Sequence, residues 1–382
     1  MKIGYLTKQS PFDKKAYSGT HYYMMRALQE SFEEVSVLGP VDTGYKWLPK
    51  IKGRILRTLS GTIYKYQYNI GLAKKMAAII DRKIAREKPD VLLASLMNPE
   101  VAFLKSDIPL FLTSDATFPL LHDLYDSHSN LHKKSIEEAL YLERKAFERA
   151  RKLIPPTQWM ANSAMNDYGI SAGKIEVIPY GANLDEECPE EEIEALISAR
   201  SRAEVLRLLF VGVRWEEKGG PFTMKVLQEL QQRGVKAELC IVGCNPKIED
   251  KPEGARVLGF LDKGNPKDAQ KLTQLYRETS FFMLPTQAEC YGIVYIEAAS
   301  FALPAIGSDT GGVPEIIVDG ETGFVRDENQ SVGELADWIE HSWIEKKEYR
   351  RFSLNSRRRY TSVLNWKRWG EQVRELILSE LS

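Results

Sequence analysis

This chain lacks any apolar run of the about 20 residues that a membrane-spanning helix requires, which argues against an anchor of that kind. Cysteine is sparse. The four thiols (Cys188, Cys240, Cys244, Cys290) form no disulfide framework. Cys240 and Cys244 have no second pair and no histidine close in sequence, so a zinc site is not expected and reduced thiols of a cytoplasmic protein are. Excess charge is also missing. A net charge of −1 gives no global attraction to nucleic acid or membrane. The opening MKIGYLTKQS runs directly into a strand-like segment and does not read as a signal peptide. One local shortage stands out: Thr43 to Ile80 contains no Asp or Glu, while Lys46, Lys50, Lys52, Arg54, Arg57, Lys65, Lys74 and Lys75 alternate with Tyr45, Trp47, Tyr64, Tyr66 and Tyr68. That composition suits either a solvated face beside an acceptor loop or peripheral contact with an anionic bilayer through residues 43–80. No motif in it supports nucleic-acid binding.

The 382 residues are enough for two domains. Short aliphatic runs (Lys2–Thr7, Glu34–Leu38, Asp90–Ala94, Leu110–Thr113) alternate with helical patterns, including a long one over Ile63–Glu87. The pattern of a parallel sheet covered on both faces follows. Lys174–Pro179 reads as a last strand. The composition then turns to Gly, Pro and an acidic run, which places a boundary near Leu184. A second alternating series begins with Leu206–Val213, continues with Ala237–Gly243 and Phe281–Pro285, and gives way to helices from Val332. In this series the run Arg357-Arg358-Arg359 reads as a solvated face, as does the mixed-charge helix Ile136–Lys152.

Chemistry concentrates in TQAECYGIVYIEAASFALPAIGSDTGGVPEIIVDGETGF, residues 286–324. Gly292 precedes a helix that is apolar all round and therefore buried. Glu297 lies inside it, and a buried carboxylate needs donors; the hydroxyls of a bound sugar would serve. The amides of Gly292, Ile293 and Val294 at the helix opening favour an anion such as a diphosphate. Upstream, Arg214 and Lys218 flank the loop after the strand Leu206–Val213, and both side chains suit a diphosphate.

Glu289, Gly292, Glu297, Ala298, Pro304, Gly311, Gly312, Pro314, Glu315, Gly320 and Gly323 together closely resemble the nucleotide-sugar site of the retaining glycosyltransferases of family 4 (glycosyl transferases group 1). The resemblance implies an α/β GT-B fold, two Rossmann-like domains facing a cleft, with a C-terminal helix crossing back to the N-terminal domain. The expected domains are 1–184 plus 365–382 for the acceptor, and 185–364 for the donor. It also implies transfer of a sugar, with retention, from a nucleoside-diphosphate sugar of the UDP-glucose, UDP-N-acetylglucosamine or GDP-mannose type to a hydroxyl acceptor. Arg214 and Lys218 would hold the diphosphate, Glu289 the donor sugar and Glu297 the ribose.

Gly19, in Ser18-Gly19-Thr20, resembles the family's small-residue loop facing the donor phosphates; a plain capped loop is the other reading. Asp115 stands where many members carry a histidine, with His122 seven residues on. It would orient an acceptor hydroxyl, bond the donor sugar, or cap the next turn. No cofactor is expected beyond the donor substrate. Protein cations replace a metal ion, and no aspartate-pair metal motif is present. A sugar-nucleotide epimerase or hydrolase of the same fold, and a non-catalytic sugar-nucleotide binder, are the two competing classes.

Overall fold

A computed structural model describes residues 1–44, 47–249 and 251–382, and divides the chain into two compact units: Met1–Pro179 with Trp369–Ser382, and Tyr180–Arg368. The first limit lies five residues before Leu184, where the composition changes.

In the first unit five parallel strands, β1 (Lys2–Thr7), β2 (Glu34–Val37), β3 (Val91–Ser95), β4 (Leu110–Thr113) and β5 (Lys152–Leu153), lie in the order β2-β1-β3-β4-β5. Every residue of β3 and β4 is buried. Helices cover both faces of such a sheet, which is why its strands read as unbroken aliphatic runs. The terminal helix Trp366–Leu381 belongs here in its greater part. Its Trp369, Val373 and Ile377 are buried, and Arg151 and Lys152 pair with Glu380 at 3.0 and 3.2 Å.

In the second unit six parallel strands, β6 (Leu206–Val211), β7 (Ala237–Val242), β8 (Ala255–Gly259), β9 (Phe281–Met283), β10 (Ala305–Ser308) and β11 (Gly323–Arg326), lie in the order β11-β10-β9-β6-β7-β8. Counted from the first strand of the unit this is the dinucleotide-fold order 3-2-1-4-5-6 read from its other edge. Its direction reverses between β6 and β9, and ligands of open α/β sheets bind outside the carboxyl ends of strands at such a point.

Several expectations need correction. Lys174–Pro179 joins no ladder; Ile175 makes one isolated bridge to Leu153, and the sheet's last strand is the two-residue β5. The helix expected from Ile63 starts at Ile70, because the Asn69 side chain accepts from Leu72 N at 3.0 Å and caps it. The helix Lys346–Ser362 does not present Arg357 to solvent. The buried Arg357 guanidinium donates to the Ser300 and Cys188 carbonyls at 2.5 and 2.9 Å and pairs with Glu190 at 3.0 Å. Helix Lys133–Arg149 likewise buries Glu138 and Glu143. Tyr45, Lys46 and the side chains of Trp47, Lys50 and Lys52, part of the basic aromatic segment, lie outside the described residues. Among the described residues no helix is long and apolar enough to cross a membrane.

Candidate active site

The carboxyl ends of β6 and β9 carry the site. The chain leaves β6 through Gly212 and enters Arg214–Gly219 before the helix Gly220–Gln232. It leaves β9 through Leu284–Gly292 before the helix Ile293–Ser300. Lys218 Nζ bridges the two loops, donating to the Ala288 carbonyl at 2.6 Å and to Glu289 Oε2 at 3.0 Å. Arg214 pairs with Glu217 at 2.8 Å and keeps half of its side chain in solvent. Lys218 and Glu289 are mostly buried, 12% and 19% exposed, so this pair is less screened than a surface one.

Gly292 has φ +93°, in the left-handed region where a side chain is strained, and a Cβ there would sit 2.5 Å from the Tyr295 ring. No side chain caps the helix it opens. The amides of Ile293 and Val294 are thus the orphan donors of a helix start, with the positive end of its dipole. The loop after β10 closes from the other side: a Cβ on Gly311 would lie 1.8 Å from the Glu289 carbonyl oxygen, so only glycine permits that approach.

Glu297 is fully buried one turn further along, with donors that the sequence reading did not name. Its donors come from the protein. Lys263 Nζ donates to Oε1 and Tyr276 OH to Oε2, the latter at 3.0 Å. Burial pushes its carboxyl above the ordinary range, and Lys263 and Tyr276 oppose that shift. Neither partner was singled out from sequence. They lie 34 and 21 positions away, and their only signal was the need of a buried carboxylate for company.

In the first unit Gly19 (φ +91°) is the N-cap of helix Thr20–Ser31, with no side-chain cap, so neither Ser18 nor Thr20 plays that part. Tyr17 and Ser18 before it also have positive φ, 52° and 54°. Such non-glycine residues cost about 1–3 kcal/mol each. The Tyr17 hydroxyl donates to Asp115, and its ring stacks on His21 at 5.2 Å, which hold the loop in place. Asp115 is therefore tied to the Gly19 loop. The cap of the following helix Phe118–Leu124 is Thr117, accepting from Leu120 N. His122 is one-third exposed and faces Asp123 at 3.3 Å.

The four thiols are free, with Cys290 buried in the loop between β9 and the helix Ile293–Ser300. Among the described residues no group of three or more His, Cys, Asp or Glu side chains is arranged to hold a metal ion.

Two parallel α/β units, with a loop-and-helix opening poised at the second sheet's reversal point, define a fold of the GT-B class. Family models match both units: residues 21–186 as Glycosyltransferase Family 4 and residues 206–343 as Glycosyl transferases group 1. The chain belongs to this glycosyltransferase family. It is similar to the D-inositol 3-phosphate glycosyltransferase of Corynebacterium diphtheriae, 25% identical over 231 residues, 55% of this chain and 53% of that protein. The chain spans roughly half to three-fifths of the length of the curated relatives it matches. In structure it is similar to sucrose-phosphate synthase of Thermosynechococcus elongatus, with TM-score 0.70 at 16% identity over 100% of this chain and 99% of that one. It is also similar to Anabaena HepE in complex with UDP-glucose, with TM-score 0.63 at 16% identity over 99% and 100%.

Proposed function

We propose that this chain transfers a sugar from a nucleoside-diphosphate sugar to a hydroxyl of an acceptor, with retention of the anomeric configuration and without a metal ion. The observation that carries the reading is the Lys218–Glu289 pair, drawn from loops on either side of the sheet's reversal point and set beside the uncapped helix behind Gly292. A cation, a partly exposed guanidinium and two free amides would meet a diphosphate there. A carboxylate beside them would accept from sugar hydroxyls.

The reaction breaks the bond between the anomeric carbon and the diphosphate oxygen and forms one from that carbon to the acceptor oxygen. Negative charge grows on the leaving phosphate. Arg214, Lys218 and the amides of Ile293 and Val294 would stabilise it, and fixed groups of this kind at a leaving oxygen are usually a large catalytic term. The acceptor's proton leaves with the departing phosphate when attack comes on the same face. Glu289 holds the donor sugar. Glu297, beside Lys263 and Tyr276, would accept from the ribose hydroxyls through its remaining lone pairs. The first unit recognises the acceptor, with Asp115, held by Tyr17 beside the Gly19 loop, orienting the acceptor hydroxyl. The HepE complex with UDP-glucose supports a donor of the UDP-sugar type, with GDP-mannose the other candidate.

Calorimetry with UDP and GDP tests the donor site. One of them binds the wild type, and Lys218→Ala lowers turnover by about 10²-fold or more, as losses of such donors do, while the melting temperature holds. Turnover near normal in Lys218→Ala would remove the lysine from the mechanism. Excess chelator leaves activity in place; loss reversed by magnesium overturns metal independence.

A further inference from the structure

Away from the donor loops, the first unit gathers basic groups of which His122 alone faces a carboxylate, the exposed Asp123. Lys65 Nζ lies 2.8 Å from His128 Nε2, so an ammonium donates to a neutral imidazole. His128 Nδ1 is 3.1 Å from the Ser127 hydroxyl. The Phe118 ring lies beside both histidines of this corner, 6.2 Å from His122 and 6.4 Å from His128. Burial, then Lys8, lowers Lys65 to about 8. Burial, then Lys65 and His122, lowers His128 to about 4. Lys8 also bears on His21, which is buried with neither ring nitrogen hydrogen-bonded among the described residues.

The carboxylates nearby are already engaged. Asp115 accepts from Tyr17, Glu138 from Tyr64, and Glu143 from Asn98, Phe118 N and Tyr168. Asp123, beside His122, is four-fifths exposed. Among the described residues no carboxylate lies within ion-pair distance of Lys8 or Lys65. Holding like charges together in a half-buried place raises the free energy of the empty protein, and an anion relieves it.

We propose that Lys65 and His128, with Lys8 and His122 around them, form a binding site for a phosphate group carried by the acceptor. The site itself is independent of the donor chemistry; the word acceptor rests on the glycosyltransferase reading. The oxyanion takes the Lys65 protons that the imidazole leaves unused and draws a proton onto His128, so binding is accompanied by proton uptake. The phosphate has two possible sources, a soluble phosphorylated acceptor and a phospholipid headgroup.

The test is a titration of the full chain, isotope-labelled at its five histidines, with inorganic phosphate. The His128 ring resonances move toward the protonated position and those of His341, in the second unit, do not. Lys65→Gln weakens this response about tenfold, equivalent to about 1.4 kcal/mol. Lys65→Arg restores it, and UDP affinity is the same in all three proteins. A His128 ring indifferent to phosphate, or equally responsive in Lys65→Gln, overturns the site. Loss of UDP binding with the His128 response intact would sink the donor reading and leave this one standing. Sedimentation with phosphatidylglycerol against phosphatidylcholine vesicles separates the sources. Anionic-vesicle binding lost in Lys65→Gln assigns the phosphate to a lipid; the phosphate response without any such difference assigns it to a soluble acceptor.

Discussion

Arg357 sits in a run of three arginines that look alike in sequence, yet its environment is not that of Arg358, and Arg359 too donates to backbone carbonyls, those of Glu315 and Ile316. Two buried carbonyls and Glu190 take the Arg357 guanidinium, while Arg358 meets only the Asn355 side chain at 3.3 Å from an exposed position. Arg357→Ala leaves those acceptors without a donor and is expected to cost about 3 kcal/mol. Arg358→Ala stays within about 0.5 kcal/mol. Chemical denaturation of the two variants checks the contrast, and equal midpoints would refute it. Composition could not distinguish them, because a charge cluster carries no record of which member faces inward. Glu297 teaches the reverse: its burial was legible from the apolar residues around it, and its partners were not, since Lys263 and Tyr276 come from another loop and another helix.

Among elements, the strands that were legible are those buried on both faces, such as β1 and β4, where aliphatic residues run without interruption. β5 is two residues long and β8 is mostly half-exposed, so neither stands out from a loop by pattern. The helix Lys133–Arg149 was read as a surface helix from its mixed charges, but its Glu143 ties three other helices to it. Asn98 Nδ2 donates at 2.6 Å, Phe118 N at 2.6 Å and Tyr168 OH at 2.5 Å. Burial outweighs these donors and pushes the Glu143 carboxyl up to about 7. The folded state therefore holds a proton that the unfolded chain has released at an ordinary carboxylate pKa. Its contribution is fully present below that ordinary value and lost as pH rises through about 7. Thermal or urea midpoints should fall between pH 5 and pH 8 (roughly, from the two pKa values), by a free energy on the order of 3 kcal/mol. Glu143→Gln flattens this dependence, since Asn98 Oδ1 has no partner and a turned amide accepts from the new one. A wild-type profile flat over that range would contradict the assignment.

For the whole molecule, the decisive feature is the return of the chain end to the first unit. At Gly370 a Cβ would come within 2.4 Å of Ser31 Oγ and 2.9 Å of the Ala27 carbonyl, so helix Trp366–Leu381 lies directly on helix Thr20–Ser31. Gly370→Val should force them apart at a cost of about 2 kcal/mol, seen as a lower urea midpoint; an unchanged midpoint would mean that the close approach is not maintained in solution. The amphipathic spacing of the terminal helix was evident from sequence, but the family resemblance, and not the spacing, said where it would dock.

That return also sets a timetable for biosynthesis. The second unit is one uninterrupted stretch, Tyr180–Arg368, and has every residue it needs before Trp369–Ser382 is made. The first unit emerges from the ribosome earlier but lacks part of its own core until Trp369–Ser382 follows, so of these two units the one translated first is completed second.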